Sequence, residues 1–106
     1  MGELIISHWD PAADGVLSRT TMEAKLQREG YSCVPYTFNP GMVFGEHTHD
    51  VDKKDVVVFG ELEFTIFGKT VLLKDGDTIV VPKTVPHSAK VVGSRPLEFF
   101  DATKNS

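Results

Sequence analysis

Three observations predict an all-β fold, a small sandwich or barrel with one short N-terminal helix. From Tyr31 onward the apolar residues fall in short runs rich in Val, Ile, Leu and Phe. Turn-forming clusters punctuate those runs at near-regular intervals: "NPG" at 39–41, "FGK" at 67–69, "KDGD" at 74–77 and "GSRP" at 93–96. Only one stretch, before Gly30, carries helix signals. The chain has 106 residues, 41% of them hydrophobic. That length suits one compact domain over 1–106, with the N-terminal segment and helix in about 1–30 and the barrel in about 31–102.

Each element has its own signal. Thr20 can cap the helix, with Glu23 three residues on as in a capping box. Met22 and Leu26 share one face of it, and Gly30 supplies the stop. "YSCVPYTF" at 31–38 is β-rich but carries Pro35, which predicts an edge or bulged strand. "MVFGEHTH" at 42–49 alternates, placing Val43, Gly45, His47 and His49 on one face. "DVVVFGELEFTIF" runs from Asp55 to Phe67, with Gly60 marking a bend or bulge. "TVLL", "TIVVP", "HSAKVV" and "LEFFDA" follow as strands, and "TKNS" is expected to be a loose end.

The expected core takes in Phe44, Val57, Phe59, Leu62, Phe64, Ile66, Leu73, Ile79, Val81 and Phe99. "VVVF" at 56–59 is apolar on both faces. One face must meet the barrel interior and the other a covering segment or a second subunit, which lends some support to a homodimer.

Composition narrows the partners. A net charge of −4 argues against a nucleic-acid or anionic-membrane surface, which needs clustered Lys and Arg. No apolar run approaches the ~20 residues of a membrane span. The start, "MGELIISHWD", has no basic region followed by a long apolar stretch, and Ile6 breaks a myristoylation pattern. The single Cys33 cannot form an internal disulfide and reads as a buried small side chain. A cytoplasmic setting fits these features. The sequence shows neither a Gly-rich phosphate loop nor a serine nucleophile elbow.

The chemistry gathers around "GEHTHDVDKKD" at 45–55. Histidines at i and i+2 on a strand point to the same side, about 7 Å apart at the backbone. His47 and His49 therefore suit two ligands of one metal, and His87, opening a later strand, offers a third. Three imidazoles with open positions suit Zn, Fe, Ni, Cu or Mn, and ligand type alone does not choose among them. His8, beside Trp9 near the terminus, reads as an exposed or capping residue.

The spacing resembles the cupin superfamily. Its first motif, G-x5-H-x-H-x3,4-E-x6-G, is matched by Gly41, His47, His49 and Gly60, with Lys53 in the glutamate's place. Its second, G-x5-P-x-G-x2-H-x3-N, is matched by Gly76, Pro82 and His87, with Thr84 for the glycine and Val91 for the asparagine. The resemblance covers 41–91. It implies a double-stranded β-helix, a jelly-roll barrel of RmlC-like type. It also implies a metal held inside by the motif histidines and glutamate, and frequent dimerisation. It does not choose an activity, because cupins include dioxygenases, isomerases, decarboxylases, epimerases, storage proteins and sensors.

Lys53 is the departure that matters. A protonated lysine cannot ligate, and an ammonium roughly 5 Å from a divalent ion is repelled by on the order of 6 kcal/mol. Three resolutions are open. Lys53 can pair with Asp52, Asp55 or another acid, leaving a three-histidine site of the kind seen in cupins resembling the thiol dioxygenases. A bulge can shift register so that Asp50, Asp52 or Asp55 supplies a carboxylate. Or the lysine replaces the metal, organising an acidic substrate or acting as a base. Asp101 can reach the pocket if the last strand runs inward, although a terminal surface acid is the commoner case.

The leading expectation is a small metal-binding cupin acting on, or binding, a small polar molecule. His47, His49 and His87 would hold a divalent ion, and Lys53 and Asp55 are the candidate catalytic groups. The alternatives are a non-catalytic ligand-sensing cupin and a metal-free cupin built around Lys53.

Overall fold

The computed structural model describes residues 2–106. Nine strands and two helices follow in the order β1 (Ile6–His8), α1 (Pro11–Asp14), α2 (Arg19–Arg28), β2 (Tyr31–Phe38), β3 (Val43–His47), β4 (Lys53–Phe59), β5 (Glu61–Ile66), β6 (Lys69–Leu73), β7 (Asp77–Val81), β8 (His87–Val92) and β9 (Leu97–Lys104). Two antiparallel sheets face each other, one ordered β1-β7-β4-β9-β2 and the other β3-β8-β5-β6. This is the all-β double-stranded β-helix expected from the sequence.

The N-terminal segment holds more than the single helix predicted. One turn, α1, starts at Pro11 behind Asp10, whose carboxylate accepts from Ala12 N–H at 3.0 Å. The cap of α2 is Ser18, not Thr20. Ser18 has an extended backbone, so its hydroxyl reaches Thr21 N–H at 3.1 Å, while Thr21 Oγ1 accepts from Ser18 N–H at 2.9 Å. Thr21 closes the capping box that the sequence assigned to Glu23. Upstream of both, Ile6–His8 pairs with Ile79–Asp77, so the N-terminal segment adds a strand to the barrel. His8 is exposed and bonds Asp77 at 2.6 Å.

The C-terminal "TKNS" is also more tied down than expected. Thr103 and Lys104 pair with Ser32 and Tyr31, and Asn105 N–H donates to Gly30 C=O at 2.8 Å.

The run 55–67 is two strands, not one. β4 belongs to the five-stranded sheet and β5 to the four-stranded sheet, and the chain crosses between them at Gly60. Gly60 has φ 116°, and a Cβ there would meet Leu97 Cα at 3.0 Å and Pro96 O at 3.1 Å. No larger residue fits this bend without backbone movement. β5 turns into β6 through Phe67 and Gly68, both at positive φ, which suits a tight two-residue hairpin.

Alternation along β4 and β9 sorts the core into two clusters. Val57, Leu62, Phe64, Ile66, Leu73, Ile79, Val81, Val91 and Leu97 pack between the sheets. Val56, Val58, Phe100 and Ala102 face outward and are covered by Met22 and Leu26 of α2. The segment covering the outward valines is therefore α2 of the same chain, and "VVVF" carries no argument for a second subunit. Of the expected core, Phe59 packs only partly buried against this outer cluster, while Phe44 and Phe99 are partly buried against the inner one.

Gly60→Ala is expected to destabilise the fold by roughly 2–4 kcal/mol, from left-handed strain plus backbone contact. Gly45, a β3 glycine with open space around its Cα, should accept alanine at no measurable cost. Urea unfolding of both variants checks this, and equal midpoints would refute the role given to Gly60.

Candidate metal centre

The three histidines come from two adjacent strands and one loop. β3 and β8 pair with Phe44 opposite Ala89 and His47 opposite His87. Three residues on β3 thus span two on β8, so β3 carries a one-residue bulge. The bulge breaks the predicted alternation. Phe44 and His47 both reach the cavity, whereas Val43, expected on the same face as His47, is 61% exposed. His49 lies beyond the end of β3, in the loop to β4.

The candidate ligand atoms of His47, His49 and His87 all lie within 4.8 Å of one another. The ring centroids are 4.3 Å apart for His47 and His87, 4.9 Å for His47 and His49, and 5.1 Å for His49 and His87. His47 Nδ1 sits 2.7 Å from Gly45 O, and His87 Nδ1 sits 3.0 Å from Val85 O. A carbonyl oxygen can only accept, so both Nδ1 atoms carry the proton. In the neutral rings the Nε2 lone pair is then free. This is how metal-binding histidines are usually oriented.

His87 Nε2 is buried with no hydrogen-bond partner. Leaving such an atom unpaired costs about 1–3 kcal/mol. A metal ion at the centre of the triad would satisfy it, so the residues present fit a mononuclear site. Burial, chiefly, pushes the His87 ring below the usual histidine range, against a raising bond to Val85 O. Burial also lowers His49, followed by the nearby Lys53 charge. Both effects favour the neutral, ligating form.

Lys53 resolves its position by an ion pair. Its Nζ lies 2.8 and 3.0 Å from the two oxygens of Asp101 on β9, which neither local spacing nor the Asp52 and Asp55 options had indicated. The register that puts Asp55 opposite Asp101 places Lys53 one step along the same inward face. Asp101 accordingly lines the cavity instead of standing on the surface as a terminal acid.

Neither Asp50 nor Asp52 joins the cluster. The β3 bulge falls before His47, so it does not turn these acids inward. Asp50 is exposed in the turn after His49. Asp52 is engaged elsewhere: its carboxylate accepts from Lys83 N–H at 2.8 Å and its carbonyl from Lys104 N–H at 3.0 Å. Among the described residues, the ligand cluster here is the three histidines alone.

Thr84 stands where the cupin pattern has glycine, and its φ is 67°. A β-branched residue is strained in this region, which accounts for the glycine of the pattern. Its N–H donates to His49 C=O at 2.7 Å, tying the loop of one candidate ligand to the turn that leads into another.

The histidines open on a cavity of about 190 Å³. Asp55 and Asp101 line it on the polar side; Tyr36, Phe38, Phe44, Leu62, Phe64, Ala89, Leu97 and Phe99 form the rest. Phe64 stacks on His87 with centroids 5.7 Å apart. Sequence reasoning had not marked Tyr36, Phe38 or Leu97 as lining, although Tyr36 and Phe38 stand on alternate positions of one strand. Burial pushes the Asp55 carboxyl up to about 7, with the Asp101 charge adding to it and Lys53 opposing. Cys33 lies outside this cavity, and burial pushes its thiol up to about 11, away from thiolate chemistry.

A two-sheet jelly roll with inward histidines is a cupin arrangement, and residues 35–103 match the family model described as a cupin domain. The chain belongs to the cupin family. Among solved structures, a conserved protein of unknown function from Streptococcus pyogenes is 22% identical with a TM-score of 0.63, covering 73% of this chain and 66% of that one. KdgF from a Halomonas species is 26% identical with a TM-score of 0.63, covering 73% and 71%. A predicted oxalate decarboxylase from Thermotoga maritima is 24% identical with a TM-score of 0.64, covering 99% and 83%. The chain spans just under two thirds of the Streptococcus protein's length. No curated protein sequence matches it. Among the described residues, no helix is long and apolar enough to cross a membrane.

Two expectations test this geometry. Thr84→Gly should stabilise the fold by about 1 kcal/mol by relieving left-handed strain, read from thermal unfolding. For Asp55, the carboxyl is protonated in both states below its unfolded value of 3.8 and costs nothing there. As pH rises towards 7 the folded state resists ionisation, so stability falls, in total by on the order of 2–4 kcal/mol. In metal-stripped protein, Asp55→Asn should remove that loss. Parallel stability curves from pH 4 to 8 would show that Asp55 is not perturbed.

Proposed function

We propose that this cupin binds one divalent metal ion through His47, His49 and His87 and acts on a small molecule in the adjoining cavity. The observation that carries the reading is the pair of Nδ1–H bonds to Gly45 O and Val85 O, which leave the Nε2 lone pairs free, one of them on a buried and otherwise unpartnered atom, in a cluster whose candidate ligand atoms lie within 4.8 Å of one another. A bound ion there supplies Lewis acidity or, if redox-active, oxygen chemistry. The chain's own groups set the rest. Asp55, with its carboxyl held near neutrality, is placed to take or give a proton at the ligand. The Lys53–Asp101 pair holds its own charges balanced beside the triad, so Lys53 does not stand in for the ion. The lone unbridged Cys33 and the charge balance go with a cytoplasmic setting.

Elemental analysis of tag-free protein, purified without added metal, should find close to one transition-metal ion per chain. The His47→Ala/His49→Ala variant should lose it while keeping a folded far-ultraviolet spectrum. Metal content unchanged in that variant would refute the site.

A further inference from the structure

We infer that the cavity takes a compact, mainly apolar molecule with a single anionic head, such as an aryl or branched-alkyl carboxylate, and not a sugar or other polyol. This rests on the metal reading above for the charge of the head and on the wall chemistry for the body.

The wall is the first observation. Phe38 meets Phe44 edge-on with centroids 4.8 Å apart and lies 6.2 Å from Phe99. Leu62, Ala89 and Leu97 continue the same surface. Among the described residues, the lining includes no Ser, Thr, Asn, Gln, Lys or Arg. A polyol hydroxyl pressed against it gives up its water hydrogen bonds without replacement, at about 1–3 kcal/mol each. An apolar body instead gains roughly 25 cal/mol for each Å² it buries.

The polar lining is the second observation. Its titratable side chains are the three histidines, Asp55, Asp101 and Tyr36, whose ring stacks on Phe38 and whose side is half exposed. Asp101 is spent on Lys53. A divalent ion brings two positive charges to three neutral imidazoles, and Asp55 can cancel at most one. At least one positive charge remains facing the cavity. One carboxylate balances it, and an ammonium head is repelled. A phosphate calls for forked Arg or clustered N–H donors, and the lining holds no arginine.

The test uses full-length protein loaded with cobalt(II), whose visible spectrum reports ligand arrival, with cobalt content measured separately. Benzoate and cyclohexanecarboxylate should perturb the spectrum saturably, each at least about tenfold tighter than acetate, while xylose and benzylammonium leave it unchanged. Phe38→Asn should weaken benzoate about tenfold with cobalt uptake intact, and Phe38→Leu should keep most of the affinity, separating loss of the apolar wall from misfolding. Xylose binding as tightly as benzoate, or benzoate no tighter than acetate, overturns the inference and leaves the metal reading standing. A folded protein that takes up no cobalt overturns the metal reading and the anionic head with it.

Discussion

An ammonium turned into the interior of a barrel must meet a carboxylate, and the pairing of Lys53 with Asp101 is the constraint on which the site depends. The lysine side chain is 13% exposed and Asp101 30%, so the pair is only partly screened by water. It joins β4, the middle strand of its sheet, to its neighbour β9, and both strands line the cavity. Because Asp101 offsets the Lys53 charge, the ammonium does less to repel a cation held by the three histidines nearby. Because Asp101 is occupied, Asp55 opposite it on β4 remains the acid with no cation of its own.

The ligand loops depend on ties of another kind. His49 and His87 lie at the ends of elements, where a chain is freest to move. Here Thr84 N–H holds the His49 carbonyl and Asp52 caps the backbone at Lys83. The two loops therefore form one hydrogen-bonded unit above the barrel. Asp52 contributes as an acceptor for backbone, which is why a carboxylate so near the histidines in sequence is not turned toward them. A site supported in this way is organised before any ligand arrives.

The strands were legible because β-branched runs and Gly/Pro breaks are local signals, and the histidine cluster because its spacing is fixed. What escaped was either too short or too distant. β1 and α1 have three and four residues, below any periodicity. The crossing at Gly60 hides in a run that is apolar on both sides, since only the destination sheet changes there. The β3 bulge left a trace, a glycine inside a strand, but alternation was the louder signal. Lys53 and Asp101 are 48 residues apart, and their meeting is a matter of strand register that no local pattern carries. Phe38 and Leu97 carry no local mark that tells a lining residue from a core one, because the difference is the empty space beside them.

Pro35 has a meaning beyond marking β2 as an edge. β2 is the longest of the four edge strands, eight residues, with Val34 and Tyr36 exposed. Such an edge invites a strand from another molecule to extend the sheet. Proline offers no N–H, and regular pairing of Pro35 with Phe100 is compatible with its ring nitrogen facing the open side. An incoming strand would find a rung missing at mid-length, flanked by a β-branched and an aromatic residue that would otherwise favour sheet growth. Along this edge, one imino acid is thus the residue that offers an incoming strand no backbone donor, on a strand that also lends Tyr36 and Phe38 to the cavity.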